Sequence, residues 1–187
     1  MKFLTNQPAF LLEKTLVIAD IHVGIEYEYF RSGIKVPSQT DKILERVKKL
    51  IKETNAKKLL ILGDLKHKVP GTSYQEKREV PEFLNELDDL VEIEIVAGNH
   101  DGGLKSMLSN DIKLHPSKGF LSGNVYFCHG NSWPSKEFLK ADYIIMGHIH
   151  PLFEIKDKLG YRWSERVWVR AELGKKKIEE KYGKSKK

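Results

Sequence analysis

The chain alternates short apolar runs with longer amphipathic stretches, and each apolar run stops at a polar cluster. Leu16-Val17-Ile18-Ala19 ends at Asp20, and Lys58-Leu59-Leu60-Ile61-Leu62 ends at Gly63-Asp64. Val91-Glu92-Ile93-Glu94-Ile95-Val96 has a period of two and stops at Gly98-Asn99-His100-Asp101. Val125-Tyr126-Phe127-Cys128 runs into His129-Gly130, and Tyr143-Ile144-Ile145-Met146 into Gly147-His148-Ile149-His150. Short runs bounded in this way predict five buried strands. Between them Ile43, Val47, Leu50 and Ile51 share one helical face, with Ser38 or Thr40 as the expected cap, and Val80, Phe83, Leu84, Leu87 and Leu90 mark a second helix. Asp157-Lys158-Leu159-Gly160 predicts a turn within a hairpin spanning Leu152 to Leu173, with Trp163 and Trp168 packing on its sheet. Alternating strands and helices define an α/β layered domain, in which ligands bind beyond the carboxyl ends of strands. The polar clusters fall at those ends.

Composition narrows the class. A chain of 187 residues is expected to form one domain. Cys128 is the only cysteine, which excludes an intrachain disulfide and an all-cysteine zinc site and fits a reducing compartment. In its strand Cys128 reads as packing rather than as a ligand. No apolar run approaches the roughly 20 residues of a membrane span. Thr5, Asn6, Gln7 and Pro8 interrupt any signal-peptide core, so a cytoplasmic protein with no membrane partner is expected. The net charge of +6 is uneven: from Lys156 onward 12 Lys/Arg stand against 5 Asp/Glu, leaving residues 1–155 at −1. Such an end either follows a phosphate backbone or is a solvated tail. The expected organisation is a domain over 1–173 and a basic tail over 174–187.

Six of the seven histidines belong to the strand-end clusters, and His115, outside them, reads as structural. Concentrating His22, His67, His100, His129, His148 and His150 with Asp20, Asp64, Asn99 and Asp101 beyond a sheet is costly if the groups are buried unpaired. A cation removes that cost. Imidazole, carboxylate and amide oxygen without thiolate suit Mn²⁺, Fe or Zn²⁺. The candidates are too many for one four-coordinate ion, whereas two ions sharing a carboxylate use them economically.

Asp20-x-His22, Gly63-Asp64-x-x-His67, Gly98-Asn99-His100-Asp101, His129-Gly130 and Gly147-His148-x-His150, in this order, resemble the signatures of the calcineurin-like metallophosphoesterase superfamily. Asp20-Ile21-His22-Val23-Gly24-Ile25-Glu26, Gly33-Ile34-Lys35-Val36-Pro37 and Gly63-Asp64-Leu65-Lys66-His67 further resemble its small archaeal and bacterial branch, which includes ligase-associated DNA-repair endonucleases. The resemblance implies a four-layer αββα sandwich of two mixed sheets flanked by helices. It implies two divalent ions, Mn²⁺ first and Fe, Zn²⁺, Ni²⁺ or Mg²⁺ as alternatives. Asp20, His22 and His150 would hold one ion, Asn99, His129 and His148 the other, and Asp64 would bridge them. The implied reaction is in-line attack on phosphorus by a hydroxide between the ions, with His100 protonating the leaving oxygen and Asp101 helping to orient it.

His67 departs from the wider pattern, in which many relatives carry an aspartate that pairs with the acid histidine. It is open between contact with substrate phosphate and a hydrogen bond behind the ligands. Arg31 stands as a phosphate contact against a plain surface residue, and Trp133 as a base-stacking residue against lid or core packing. Relatives of the branch continue with more sheet past Ala171-Glu172-Leu173, and an uncovered edge there would invite a homodimer. The expected activity is metal-dependent hydrolysis of a phosphodiester, with DNA or RNA as the leading substrate. The alternatives are a small-nucleotide phosphodiesterase or phosphatase, a non-catalytic metal-binding scaffold and a nucleic-acid-binding module.

Overall fold

The computed structural model describes residues 1–183 and divides into two compact units, Met1–His148 and a second that begins at Ile149. In the first unit six strands form one sheet in chain order: β1 (Lys2–Phe3), β2 (Ala9–Leu12), β3 (Thr15–Ile18), β4 (Lys58–Leu62), β5 (Glu92–Val96) and β6 (Lys113–His115). The first three pair antiparallel, and β3 to β6 pair parallel, with Leu16 opposite Leu59 and Leu59 opposite Ile93. Parallel pairing sends the carboxyl ends of β3, β4 and β5 to one edge. A second mixed sheet holds β7 (Phe120–Ser122), β8 (Val125–Cys128) and β9 (Tyr143–Met146), with β9 parallel to β8.

Strands buried on both faces read as continuous apolar runs, and alternate residues divide between two cores. Leu16, Ile18, Leu59, Ile61, Ile93 and Ile95 pack with Val47, Leu50 and Ile51 of α2 (Thr40–Thr54) and with Val80, Phe83, Leu84 and Leu87 of α3 (Tyr74–Asp88). Val17, Leu60, Leu62 and Val96 turn the other way and meet Val125 and Phe127 of the second sheet. Each such side chain contributes about 1.5–3 kcal/mol when fully buried. The outer face of the second sheet carries the 3-10 turn Lys136–Lys140, whose Phe138 meets the Tyr126 ring edge-on at 6.2 Å. The layered α/β fold expected from the strand pattern is therefore present, with two mixed sheets face to face.

Several boundaries differ from the periodicity. Gln39, not Ser38 or Thr40, occupies the N-cap position of α2. Its N–H donates to Glu26 of α1 (Glu26–Arg31) at 2.8 Å, and the Thr40 N–H donates to Ser38 Oγ at 3.2 Å, so two side chains from outside the helix share the capping. At the other helix Ser73 and Glu76 form a reciprocal capping box. Leu90 lies beyond α3 and is exposed, because the chain has already turned toward β5. Strands β1, β6 and β7 and helix α1 are too short to carry a periodic signal, whereas β2 is an apolar run of four, as long as β3, and is not among the expected strands.

The second unit contains a hairpin of β10 (Leu152–Lys156) and β11 (Arg162–Arg166). Its turn is the expected one: Asp157 Oδ1 accepts from the N–H groups of Leu159 and Tyr161, each at 2.9 Å. Trp163 sits opposite Ile155 but is 39% exposed, and Trp168 lies two residues past β11 and is 46% exposed, so neither packs into a sheet as expected. The two-stranded ribbon has no further strand among the described residues. The stretch read as a basic tail is an eight-residue helix, α4 (Lys175–Tyr182), with no buried residue, and residues 184–187 of that tail lie outside the described residues. No helix among the described residues is long and apolar enough to cross a membrane.

One polar pair is built into the contact between the sheets. Glu94, buried on β5, accepts from Lys58 Nζ at 2.7 Å and from His115 Nε2 at 2.6 Å, while the His115 ring stacks on Phe120 at 3.7 Å. Burial pulls His115 below the ordinary imidazole range against the pull of Glu94, so it is a neutral donor near pH 7. Burial alone would raise Glu94, but the bonds from Lys58 and His115 hold it below its ordinary 4.5. A depressed carboxylate contributes stability that is present above its unfolded value and lost as pH falls through the folded one. Glu94→Gln is therefore expected to destabilise by about 1–3 kcal/mol at pH 7, with the difference from wild type shrinking below pH 4.5 in urea unfolding series.

Candidate metal centre

The parallel strands deliver their polar ends to one place. After β3 and β4 the backbone hydrogen bonds continue, Asp20 N–H to Gly63 O at 3.1 Å and His22 N–H to Asp64 O at 2.9 Å, so the two loops advance side by side. Asp20, His22, Asp64 and His148 take left-handed backbone angles, with φ of 54°, 53°, 53° and 70°. Non-glycine residues in that region cost of order 1–3 kcal/mol each and cluster at functional sites. Here the reversal ends each strand and turns the side chains over the sheet edge. Gly63 and Gly98 allow the close approach: a Cβ on Gly63 would strike the His129 ring, and one on Gly98 would strike Asp64.

Asp64 is the hub. Its Oδ2 lies 3.1 Å from His129 Nε2 and 3.9 Å from the Nε2 atoms of both His22 and His100, and its Oδ1 accepts the His100 N–H at 2.9 Å. Burial alone would raise its pKa, but the bonds from His129 and the His100 backbone hold the carboxyl at about 2. His129, fully buried on the second sheet, donates Nδ1–H to the Leu62 carbonyl of the first at 2.7 Å. Its Nε2 then faces Asp64 Oδ2 and Asn99 Oδ1, the latter at 3.2 Å. A ring nitrogen converging with two oxygen acceptors is a donor set that draws positive charge. His129 accordingly sits above the ordinary imidazole range: burial pulls it down, but the bonds to Asp64 and Leu62 outweigh that pull. The His148 N–H donates to both Asp20 oxygens at 3.1 Å, and its ring meets that of His129 at 4.9 Å.

Within the first unit two groups of three bring their ligand atoms within 4.8 Å of one another: Asp64, His129 and His148, and His22, His67 and His100. Burial lowers His22 to about 4 and also lowers His67, so both rings are neutral near pH 7, the form in which imidazole ligates. The nitrogen and oxygen atoms present therefore fit borderline divalent cations.

Residues 13–161 match the family model of the calcineurin-like phosphoesterase domain. The chain belongs to this family. In structure it is similar to the nuclease MPE of Pseudomonas putida, with 22% identity, 80% of this chain and 66% of that one covered, and a TM-score of 0.55, a likeness of fold. It also matches Yfce, a phosphoesterase from E. coli, with 25% identity, 65% of this chain and 62% of that one covered, and a TM-score of 0.41. The chain thus spans about two thirds or less of the length of either protein. No curated protein matches it.

Within this calcineurin-like phosphoesterase domain, the first unit brings together Asp20, His22, Asp64, His67, Asn99, His100, His129 and His148. His150 lies in the second unit, exposed and also left-handed at φ 40°. Arg31 is exposed at the end of α1, and Trp133 is 54% exposed in the loop after His129. Cys128 is buried in β8, where burial pushes its thiol up to about 11.

Asp101 does a different task from contacting the His100 ring. Its buried carboxylate accepts from the N–H groups of Asp64, Leu65, Lys66 and Gly98 at 2.8–3.3 Å, tying the loop after β4 to the loop after β5. Burial pushes its pKa up against these donors, which favour the charged form. Asp101 is thus a positioning residue.

Two further supports are not evident as site residues in the sequence. Lys66, fully buried, donates Nζ to the carbonyls of Lys68 and Gly71 at 2.7 and 2.8 Å. Glu76, fully buried, accepts from the N–H groups of His67, Lys68 and Ser73. Together they pin the loop that carries His67. The Ser73-x-x-Glu76 spacing before an apolar helix is a capping-box signature that would have exposed half of this arrangement. Asp101→Asn puts an amide donor among N–H donors and is expected to cost about 3 kcal/mol in denaturant unfolding. A change below about 0.5 kcal/mol would place Asp101 outside the fold's supports.

Proposed function

We propose that this chain is a metal-dependent phosphodiesterase whose two-ion centre forms around Asp64. The observation that carries the reading is the convergence of His22, His100 and His129 nitrogens within 3.9 Å of one Asp64 oxygen. Asp20 and His22 would hold one ion and Asn99, His129 and His148 the other, with Asp64 between; His150 joins the first set on the strength of its Gly147-His148-x-His150 motif. Mn²⁺ is the ion we expect, as the donor set is nitrogen and oxygen without thiolate. When bound, such a pair of cations supplies a nucleophile at neutral pH and neutralises charge at phosphorus.

The chain's own groups do the rest. His100 donates Nδ1–H to the His67 carbonyl, which fixes the ring and leaves Nε2 on the Asp64 side. In its imidazolium form His100 carries a second proton on Nε2, which would pass to the leaving oxygen, a contribution of about 10²–10⁴-fold. Asp101 holds the loop in which His100 stands. A nucleic acid is the substrate favoured by charge: from Ile149 onward 12 Lys/Arg stand against 6 Asp/Glu, so the whole net charge of +6 resides there and residues 1–148 balance to zero. A cationic segment of this kind follows phosphate backbones. The free thiol of Cys128 supports a cytoplasmic setting.

Metal-stripped protein given Mn²⁺ is expected to hydrolyse bis-p-nitrophenyl phosphate. Asp64→Asn should abolish turnover and His100→Ala lower kcat by about 10²–10⁴-fold with ion uptake retained. Linear DNA and RNA assayed beside cyclic nucleotides separate the substrate classes. Turnover of small esters alone would remove the nucleic-acid reading, and no turnover by protein that demonstrably holds metal would remove the enzymatic one.

A further inference from the structure

The His67 side chain lies against the back of one of the rings that face Asp64. His67 Nδ1 stands 3.4 Å from His22 Nδ1, and the two rings meet edge-on with centroids 5.2 Å apart. The two ring nitrogens stand within hydrogen-bonding reach, an arrangement in which one carries the hydrogen and the other accepts it. His22 Nε2 is the atom turned toward Asp64 Oδ2, at 3.9 Å. For Nε2 to offer its lone pair to a cation held with Asp64, the proton of His22 must reside on Nδ1.

We infer that His67 is a positioning residue that fixes the tautomer of His22: His67 Nδ1 accepts the His22 Nδ1–H bond and so keeps the His22 Nε2 lone pair on the Asp64 side. The inference rests on the two-ion reading above. The placement is rigid where it needs to be. The His67 N–H is held by Val23 O at 3.1 Å and Glu76 Oε1 at 2.8 Å, and Glu76 is itself locked in the capping box of α3. The His67 carbonyl meanwhile accepts from His100 Nδ1, so a single residue orients a ligand ring with its side chain and the acid ring with its backbone. His100 Nδ1 is committed to a carbonyl, and His22 Nδ1 and His67 Nδ1 are committed to each other. Partners that hold the second nitrogen of a ligating histidine set its tautomer and basicity.

The test uses the full chain labelled with ¹⁵N in histidine and loaded with diamagnetic Zn²⁺. Long-range ¹H–¹⁵N spectra should show His22 protonated at Nδ1 and His67 at Nε2. Zn²⁺ titration calorimetry should show His67→Leu weakening one site by about 10–100-fold. His67→Asn, whose Oδ1 takes the place of Nδ1 as acceptor, should recover most of the loss, which a purely space-filling role would not produce. His22 protonated at Nε2 in the wild-type protein overturns the inference without any variant. So does a His67→Leu affinity equal to wild type, or His67→Asn no better than His67→Leu. Wild-type protein that takes up no Zn²⁺ would instead overturn the two-ion reading on which the inference stands.

Discussion

The centre depends on one buried carboxylate that bonds the backbone of two loops. Asp101 accepts four backbone N–H groups, three from the loop after β4 and one from the loop after β5. Without that clamp the two loops would have to find other acceptors for N–H groups that are out of reach of water, at a cost of a few kcal/mol. With it, Asp64 and His100 are set at a fixed separation, closed by the bond from the His100 N–H to Asp64 Oδ1. Every other relation in the centre is measured from that pair.

The sheets supply the frame for the clamp. Alternate residues of β3, β4 and β5 fill two cores, one under α2 and α3 and one against β7, β8 and β9, so these strands are buried on both faces and have little freedom to slip. Register is what brings residues far apart in sequence to one edge. His129 reaches across from the second sheet to the Leu62 carbonyl, and His148 binds Asp20 through its backbone, so the same contacts that join the sheets assemble the candidate ligands. The left-handed turns at Asp20, His22, Asp64 and His148 are sustained by this packing.

Charge in the centre is arranged by environment more than by residue type. Burial lowers His22 and His67, whereas His129 is raised because it faces Asp64 and the Leu62 carbonyl, and Asp64 is lowered by the donors gathered round it. Neutral imidazoles and an ionised carboxylate are the forms that bind a divalent cation. His67 belongs to this arrangement through its ring nitrogen, 3.4 Å from that of His22, and through its carbonyl, which accepts from His100. His115 uses the same chemistry for a different end, holding Glu94 between the sheets.

Much was legible in the sequence. The apolar runs marked β3, β4, β5, β8 and β9, and the polar residues that stop them are the ones gathered at the edge, because a strand end and the residues just beyond it are local features. The Asp157 to Gly160 turn and the faces of α2 and α3 were legible for the same reason. Tertiary structure decided which polar residue serves which neighbour. That Asp101 binds backbone instead of the His100 ring, that Lys66 and Glu76 brace the His67 loop, and that Glu94 is buried follow from pairings across tens of residues, which periodicity cannot register. The inventory of candidate ligands is local, written in residue types at strand ends; its geometry is set by sheet register and by hydrogen bonds that exist only once both sheets are packed.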